Sequence, residues 1–201
     1  MVIFVPQYYA MRDECLSEWG DAADWCSVTV YHSDGIFSEP TCGCRVIIAP
    51  NCDDGLNKTL PGEVFEKLGS NVTIAVYGGF CNLVGPIPDE IGGLSNLELL
   101  YLYKNQLSGP IPASFRQLEA MKFLSLGVNE LIGEIPASLG NMNWLEFLDL
   151  SDNKLEGGIP YEILLLMGQR LWEIALQNNN LTGNVTLNLG MGFFIEQFRR
   201  N

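Results

Sequence analysis

The sequence contains three nearly identical sixteen-residue segments at a fixed spacing. They read LELLYLYKNQLSGPIP from residue 97, MKFLSLGVNELIGEIP from residue 121 and LEFLDLSDNKLEGGIP from residue 145, so successive copies begin 24 residues apart. A fixed period in the range of about 20 to 50 residues is typical of solenoids and other repeat architectures. Because a unit of this size cannot bury its own apolar face, the units must stack on one another to form one continuous core.

The apolar residues of each unit predict one short strand. Leu100 and Leu102 are two residues apart and share one face of that strand, while Leu97, Leu107 and Ile111 add apolar side chains on either side of it. Stacking then places the strands side by side in a parallel sheet, about 4.8 Å apart.

Asparagine, glycine and proline each recur at a register of their own. A core asparagine must bond backbone groups of its own and the adjacent coil to offset the cost of its burial. The glycines fit positions that need permissive torsion angles, and the prolines hold an extended segment that leaves the coil for one helical or 3₁₀ turn. The three sets are Asn105, Asn129, Asn153 and Asn179; Gly109, Gly133, Gly157 and Gly183; and Pro112, Pro136 and Pro160.

This pattern resembles the plant-type leucine-rich repeat, LxxLxLxxNxLxGxIP, closely over residues 97–160 and recognisably over about 46–185. The resemblance implies an α/β solenoid, a right-handed superhelix with a parallel concave sheet and short 3₁₀ or irregular segments on its convex side. Three clear coils are flanked by three degenerate ones, of which one has Cys81 at the asparagine position and another carries a two-residue insertion within residues 164–170.

Three regions follow from this assignment. Residues 1–45 form an N-terminal cysteine-containing cap with a short helix over residues 8–19, residues 46–185 form about six repeats, and residues 186–201 form a C-terminal cap or a truncated end. The cap is similar to the cysteine-flanked cap of plant-type repeat ectodomains, which carries tryptophans beside a cysteine pair, as in EWGDAADWC here.

All six cysteines lie within the first 81 residues, which predicts a disulfide-stapled cap and an oxidising compartment. We expect at least one disulfide there, with Cys26 bonded to Cys42 or Cys44 as the leading possibility. Cys81 is predicted to be a buried ladder residue with a free thiol. The disulfide candidates are Cys15, Cys26, Cys42, Cys44 and Cys52.

The compartment is also indicated by four Asn-X-Ser/Thr sequons, which favour an extracellular or cell-surface location. No run approaches the roughly 18 apolar residues of a membrane helix, and no signal peptide is visible at the N-terminus. Either the chain is cytosolic, or its signal lies outside this sequence. The glycosylation candidates are Asn57, Asn71, Asn180 and Asn184.

Charge and motifs exclude several classes of function. The net charge of −13 argues against nucleic acids and anionic membranes as partners, because both require a basic patch. His32 is the single histidine, and its spacing from the cysteines matches no common zinc pattern. No phosphate-binding loop or kinase signature is present. We therefore predict no enzymatic activity, no metal and no cofactor.

The residues that flank the inward leucines point out of the concave sheet and form columns across the coils. Aromatic rings with charges at their rim are typical of protein interfaces. Apolar residues just before the first strand leucine are, however, also ordinary in this repeat family. The predicted ligand-binding residues are Tyr101, Tyr103, Phe123, Phe147, Asp149 and Trp172.

The resemblance implies an extracellular recognition module that binds a protein, peptide or glycan on its concave face, alone or as part of a receptor-like protein. The alternative is a structural or adhesive cell-wall protein without a specific ligand. An ice-binding surface would need a flat array of threonines, which the columns lack. The oligomeric state stays open.

Overall fold

The computed structural model describes residues 26–31, 45–50, 57, 59–60, 62–68, 73–77, 79–167 and 169–182. The predicted helix over residues 8–19 and the region 186–201 lie outside these residues. So do four of the cysteines and two of the sequon asparagines: Cys15, Cys42, Cys44, Cys52, Asn71 and Asn184. The boundaries of the three predicted regions remain predictions.

Two sheets form the walls of the solenoid. In the first, every neighbouring pair of strands is parallel except β1 and β2, which are antiparallel. Its seven strands are, in spatial order, β1 (Cys26–Tyr31), β2 (Arg45–Pro50), β3 (Thr73–Tyr77), β5 (Leu99–Tyr101), β7 (Phe123–Ser125), β9 (Phe147–Asp149) and β11 (Glu173–Ala175). The second sheet is parallel and consists of β4 (Val84–Pro86), β6 (Gln106–Gly109), β8 (Glu130–Glu134), β10 (Lys154–Gly158) and β12 (Asn180–Thr182).

Short helices line the remaining, convex side. Each of the three 3₁₀ helices follows a proline and buries one apolar side chain, which is Ile91, Phe115 or Leu139. The coil with the two-residue insertion forms an α-helix in place of the 3₁₀ turn. The 3₁₀ helices span Asp89–Gly93, Ala113–Gln117 and Ala137–Asn141, and the α-helices are α1 (Gly62–Leu68) and α2 (Tyr161–Leu166). The predicted solenoid, with its parallel concave sheet and its 3₁₀ turns, is confirmed.

The second sheet was not predicted, because its strands lack an alternating pattern of their own. Its pairing also differs from that of the first sheet. Leu99 pairs with Phe123, 24 residues on, whereas Val84 pairs with Gln106, only 22 residues on. The repeated glycines lie within these strands with φ between 77° and 82°, so the prediction that this register needs permissive torsion angles is confirmed.

The core is a continuous stack of leucines between the two sheets. Leu97, Leu100, Leu102 and Leu107 of one coil are fully buried, and so are their equivalents Met121, Leu124, Leu126 and Leu131 of the next. Burial of a side chain of this size contributes about 1.5–3 kcal/mol each, so the stack supplies most of the stabilisation that each coil needs.

The asparagine ladder joins each coil to the one before it. The Asn129 carboxamide Oδ1 accepts a hydrogen bond from the Leu107 amide at 3.0 Å, and its Nδ2 donates to the carbonyls of Leu126 and Leu102, both at 3.0 Å. Asn153 and Asn179 repeat these contacts one and two coils later. The predicted ladder is therefore confirmed, with each amide serving two coils.

Cys81 occupies the first place of this ladder but is disulfide-bonded, so the prediction of a free thiol is wrong. Its amide donates to Asn105 Oδ1 at 3.0 Å, and its sulfur lies 3.3 Å from the Gly79 carbonyl oxygen. The other five cysteines all precede it in the sequence. At this position an asparagine would bond the preceding coil through its amide, and the disulfide makes that link covalent. The odd cysteine that a free Cys81 would leave no longer arises.

Substitution of a ladder asparagine should destabilise the protein far more than substitution of an exposed one. Asn129→Ala leaves buried backbone groups of two coils without partners, at about 1–3 kcal/mol per group. Asn143 is exposed, so Asn143→Ala is the matched control and should cost little. Chemical denaturation of both variants measures the difference, and equal losses of unfolding free energy would contradict the role assigned to the ladder.

A second stability prediction concerns the residue before each ladder position. Five such residues have φ between 52° and 61°, a left-handed conformation that is unfavourable for β-branched side chains. They are Phe80, Lys104, Val128, Asp152 and Asn178.

Val128→Asn should therefore stabilise the protein by about 1 kcal/mol, since asparagine tolerates this conformation and already occupies it at position 178. Val84→Asn is the control, because Val84 is half-buried in β4 and has no positive φ. Thermal unfolding measures both. A lower melting temperature for Val128→Asn would show that the packing of the valine outweighs its backbone strain.

Candidate functional site

The strand register fixes which side chains share the concave surface. Tyr101 pairs with Ser125, and Ser125 pairs with Asp149. In the neighbouring column, Phe123 pairs with Phe147. The columns predicted from the repeat are therefore present, and large rings in one coil lie beside small or polar residues in the next.

Six aromatic side chains form a diagonal band across this surface, here called the aromatic band. At one end the Tyr103 ring lies 5.6 Å from Phe80 and 6.1 Å from Tyr101, between ring centroids. At the other end Phe147 and Trp172 lie 5.9 Å apart. Phe123 lies between the two ends, because it neighbours Phe147 in one column and Tyr101 diagonally. The band consists of Phe80, Tyr101, Tyr103, Phe123, Phe147 and Trp172.

The two ends of the band are its most exposed parts. Phe80 is 57% exposed and Trp172 is 51% exposed, whereas the four rings between them are half-buried. Phe80 was missed in the sequence because its coil is degenerate. The signal that identifies it is its position directly before Cys81, equivalent to Lys104 before Asn105. Its amide donates to the Tyr103 carbonyl at 3.0 Å, which ties it to the next coil.

Tyr101 supports the band from below. Its ring packs directly on Gly79, where an added Cβ would collide with it. Burial, followed by the neighbouring Tyr103 and Asp149, raises the pKa of the Tyr101 phenol. Because Tyr101 is packed in this way, its removal should lower stability as well as binding, so Tyr103 is the better residue with which to test binding alone.

Asp149 lies beneath the surface, with only 8% of its area exposed. Its Oδ1 accepts hydrogen bonds from the Ser151 hydroxyl at 2.6 Å and the Ser151 amide at 3.0 Å. Its carboxylate covers Gly127, since a Cβ there would lie 2.5 Å from Oδ2. The geometry gives Asp149 a structural role, and direct ligand contact by this residue stays a prediction.

The remaining candidate residues lie away from the band. Asn57 and Asn180 are both exposed, and Cys26 begins β1. Among the residues described, no three His, Cys, Asp or Glu side chains are grouped so that they could hold a metal ion. No helix in the described part of the chain is long and apolar enough to span a membrane.

Comparison with known families supports the same architecture. The family model described as Leucine Rich Repeat matches residues 96–118 and 144–166. The chain is a leucine-rich-repeat protein. Among curated protein sequences, none is significantly similar to it.

Solved structures with this repeat come from plants. The ectodomain of the Arabidopsis thaliana membrane receptor kinase GASSHO1/SCHENGEN3, in complex with CASPARIAN STRIP INTEGRITY FACTOR 2, is 32% identical over 64% of this chain and 15% of its own, with a TM-score of 0.60. The Arabidopsis receptor kinase HAESA, in complex with the peptide hormone IDA and the co-receptor SERK1, is 35% identical over 63% and 20%, with a TM-score of 0.58.

A plant ice-binding protein is also similar, with 32% identity over 79% of this chain and 47% of its own, and a TM-score of 0.56. This leucine-rich-repeat chain thus spans less than half of the length of each of these three proteins. The repeat architecture is what it shares with them.

Removal of the Asp149 charge should stabilise the protein at neutral pH. Burial raises the pKa of this carboxyl, although hydrogen bonds from Ser151 and Ser125 oppose the shift. A raised folded-state pKa favours the protonated form, so the stability it contributes is present at acidic pH and is lost as the pH rises through that pKa. Asp149→Asn keeps the shape without the charge.

Its melting temperature should therefore exceed that of the wild type at pH 7, and the difference should shrink towards pH 4. Glu119→Gln, at an exposed carboxyl, is the control and should change the melting temperature little at either pH. A lower melting temperature for Asp149→Asn at pH 7 would show that the ionic hydrogen bonds outweigh the cost of burial.

Proposed function

We propose that this protein is an extracellular recognition module that binds a peptide or a protein segment on its concave face. The observation that carries the proposal is the aromatic band, whose two end rings are more than half exposed. Large rigid rings bury much area on binding at a low cost in conformational entropy, and they dominate the energetics of protein interfaces. Contiguous exposed apolar surface of this kind marks interaction sites.

The similar plant receptors support a peptide as the ligand. GASSHO1/SCHENGEN3 and HAESA were both solved with a bound factor or peptide hormone. This chain shares their coil architecture but spans only a small part of their length, so its own ligand, co-receptor and signalling role are proposals. We propose binding without catalysis, with the ligand in contact with coils from β5 to β11.

Two observations support an extracellular location. Cys81 is disulfide-bonded, and such bonds persist chiefly in oxidising compartments. The sequon asparagines Asn57 and Asn180 are exposed, as acceptors of glycans must be. Both residues lie outside the aromatic band, so glycans on them are compatible with the proposed binding face.

Two alternatives differ in what they require of this surface. A structural or adhesive protein needs no aromatic band, and the exposed rings would then be ordinary sheet surface. An ice-binding function, which the similarity to the plant ice-binding protein suggests, needs a flat array of threonines. The outward columns of β5, β7, β9 and β11 contain no threonine, so we do not favour it.

Removal of two rings tests the binding proposal. The double variant Tyr103→Ala/Trp172→Ala should weaken binding of a peptide selected on the full chain from a random library by tenfold or more, because interface hot spots cost about 2 kcal/mol each. Its unfolding free energy should stay within about 1–2 kcal/mol of the wild type, since lost ring pairs cost about 0.5–1.5 kcal/mol.

Trp144→Ala is the matched control. Trp144 is 49% exposed but lies before the strand, where Arg170 stacks on its ring. This variant should bind as the wild type does. Binding that survives the double substitution would reject the concave band as the site and favour a structural role.

A further inference from the structure

The two ends of the aromatic band carry charges of opposite sign. At the Phe80 end, the Lys104 ammonium lies over the Phe80 ring, 5.0 Å from its centroid. Within the described residues no carboxylate lies within ion-pair distance of Lys104. The ring face attracts the cation without neutralising it, so Lys104 presents an unneutralised positive charge beside Phe80 and Tyr103.

The Trp172 end is acidic. The Trp172 amide donates to the Glu146 carbonyl at 3.0 Å, and Glu173 pairs with Phe147 across the strands. Both glutamates are half-buried, and neither forms an ion pair within the described part of the chain. Arg170 is directed to the Trp144 ring, 4.1 Å from its centroid. The carboxylates of Glu146 and Glu173 therefore remain beside the exposed Trp172 ring.

The other charged groups of the concave face contribute less to this polarity. Glu98 and Lys122 form an ion pair of 2.7 Å and offset each other. Asp149 is buried under its hydrogen bonds to Ser151, and Asp152 accepts a hydrogen bond from Asn178 at 2.8 Å. Asp152 borders the band along one side, where it adds negative charge nearer to β9 than to Phe80.

The length of the band limits what can contact both ends. Tyr103 and Trp172 are separated by three strand spacings of about 4.8 Å and by about five residues along the strand at about 3.3 Å each. The diagonal is therefore about 22 Å, which is the span of about seven residues of extended peptide.

We propose that the ligand is an extended peptide with an acidic side chain at one end, a basic side chain about six residues away and apolar side chains between them. The acidic side chain contacts Lys104 beside Phe80, and the basic side chain contacts Glu146 and Glu173 beside Trp172. This inference rests on the proposed function and adds the charge pattern and the direction of the ligand. The rings supply most of the affinity, while the charges fix which way the peptide lies.

Selection from a peptide library tests the charge pattern. A library of random nonapeptides, flanked on both sides by glycine-serine linkers, is selected on the full chain. We expect enriched peptides with one acidic and one basic residue at opposite ends of an apolar segment. A synthetic copy of an enriched peptide should lose about two- to fivefold in affinity with Lys104→Glu, as for an exposed ion pair, and more at low salt.

Charge reversal provides the sharper readout. Replacement of the acidic residue of the peptide by lysine should restore affinity for Lys104→Glu, and replacement of its basic residue by glutamate should restore affinity for Glu146→Lys/Glu173→Lys. Lys154→Glu is the matched control, because Lys154 is an exposed lysine on the second sheet, 3.0 Å from Glu130. It should leave peptide affinity unchanged.

The outcomes separate this inference from the proposed function. Peptides that require Tyr103 and Trp172 but show no charge pattern, or that bind Lys104→Glu with unchanged affinity, would overturn the inference and leave the binding function standing. If no peptide is enriched over the Tyr103→Ala/Trp172→Ala variant, both fail. Enrichment with the charge pattern and rescue by reversal supports both.

Discussion

The hydrogen bonds of the asparagine ladder are the constraint on which the rest of the structure depends. Each buried carboxamide satisfies loop groups of its own coil and of the preceding one, as Asn129 does for Leu126, Leu102 and Leu107. A shift of one coil relative to the next would leave these groups buried without partners, at a cost of several kcal/mol. The ladder therefore fixes the register of the concave sheet, in which Leu99 faces Phe123.

The same register determines what the surface can do. Since the inward positions are taken by leucines and the ladder, only the outward positions are free to differ between coils. Here they hold large rings on a diagonal, with Gly79 leaving room for Tyr101 and Gly127 leaving room for the Asp149 carboxylate. A binding surface is thus built from residues that the repeat does not prescribe, on a backbone that the repeat holds rigid.

Much of this could be read from the sequence. Fixed spacing predicts the solenoid, the ladder and the columns, because stacking of identical coils converts sequence register directly into spatial neighbours. Five of the six residues of the aromatic band follow from that rule. Phe80 escaped it because Cys81 replaces the asparagine that marks the register. Asp149 was placed in the correct column, but its burial depends on the missing side chain at Gly127 and on Ser151, and the repeat pattern does not contain that information.

The sequence by itself determined the coil, its period and the face on which each side chain lies, since these follow from local periodicity and from the need to bury one apolar stripe. Only the tertiary structure decided the second sheet with its 22-residue stagger, the disulfide of Cys81 and the opposite charges at the two ends of the aromatic band. These depend on which groups meet across coils and on how deeply they lie. Distance and burial between coils are set by packing in three dimensions, and residue spacing along the chain does not encode them.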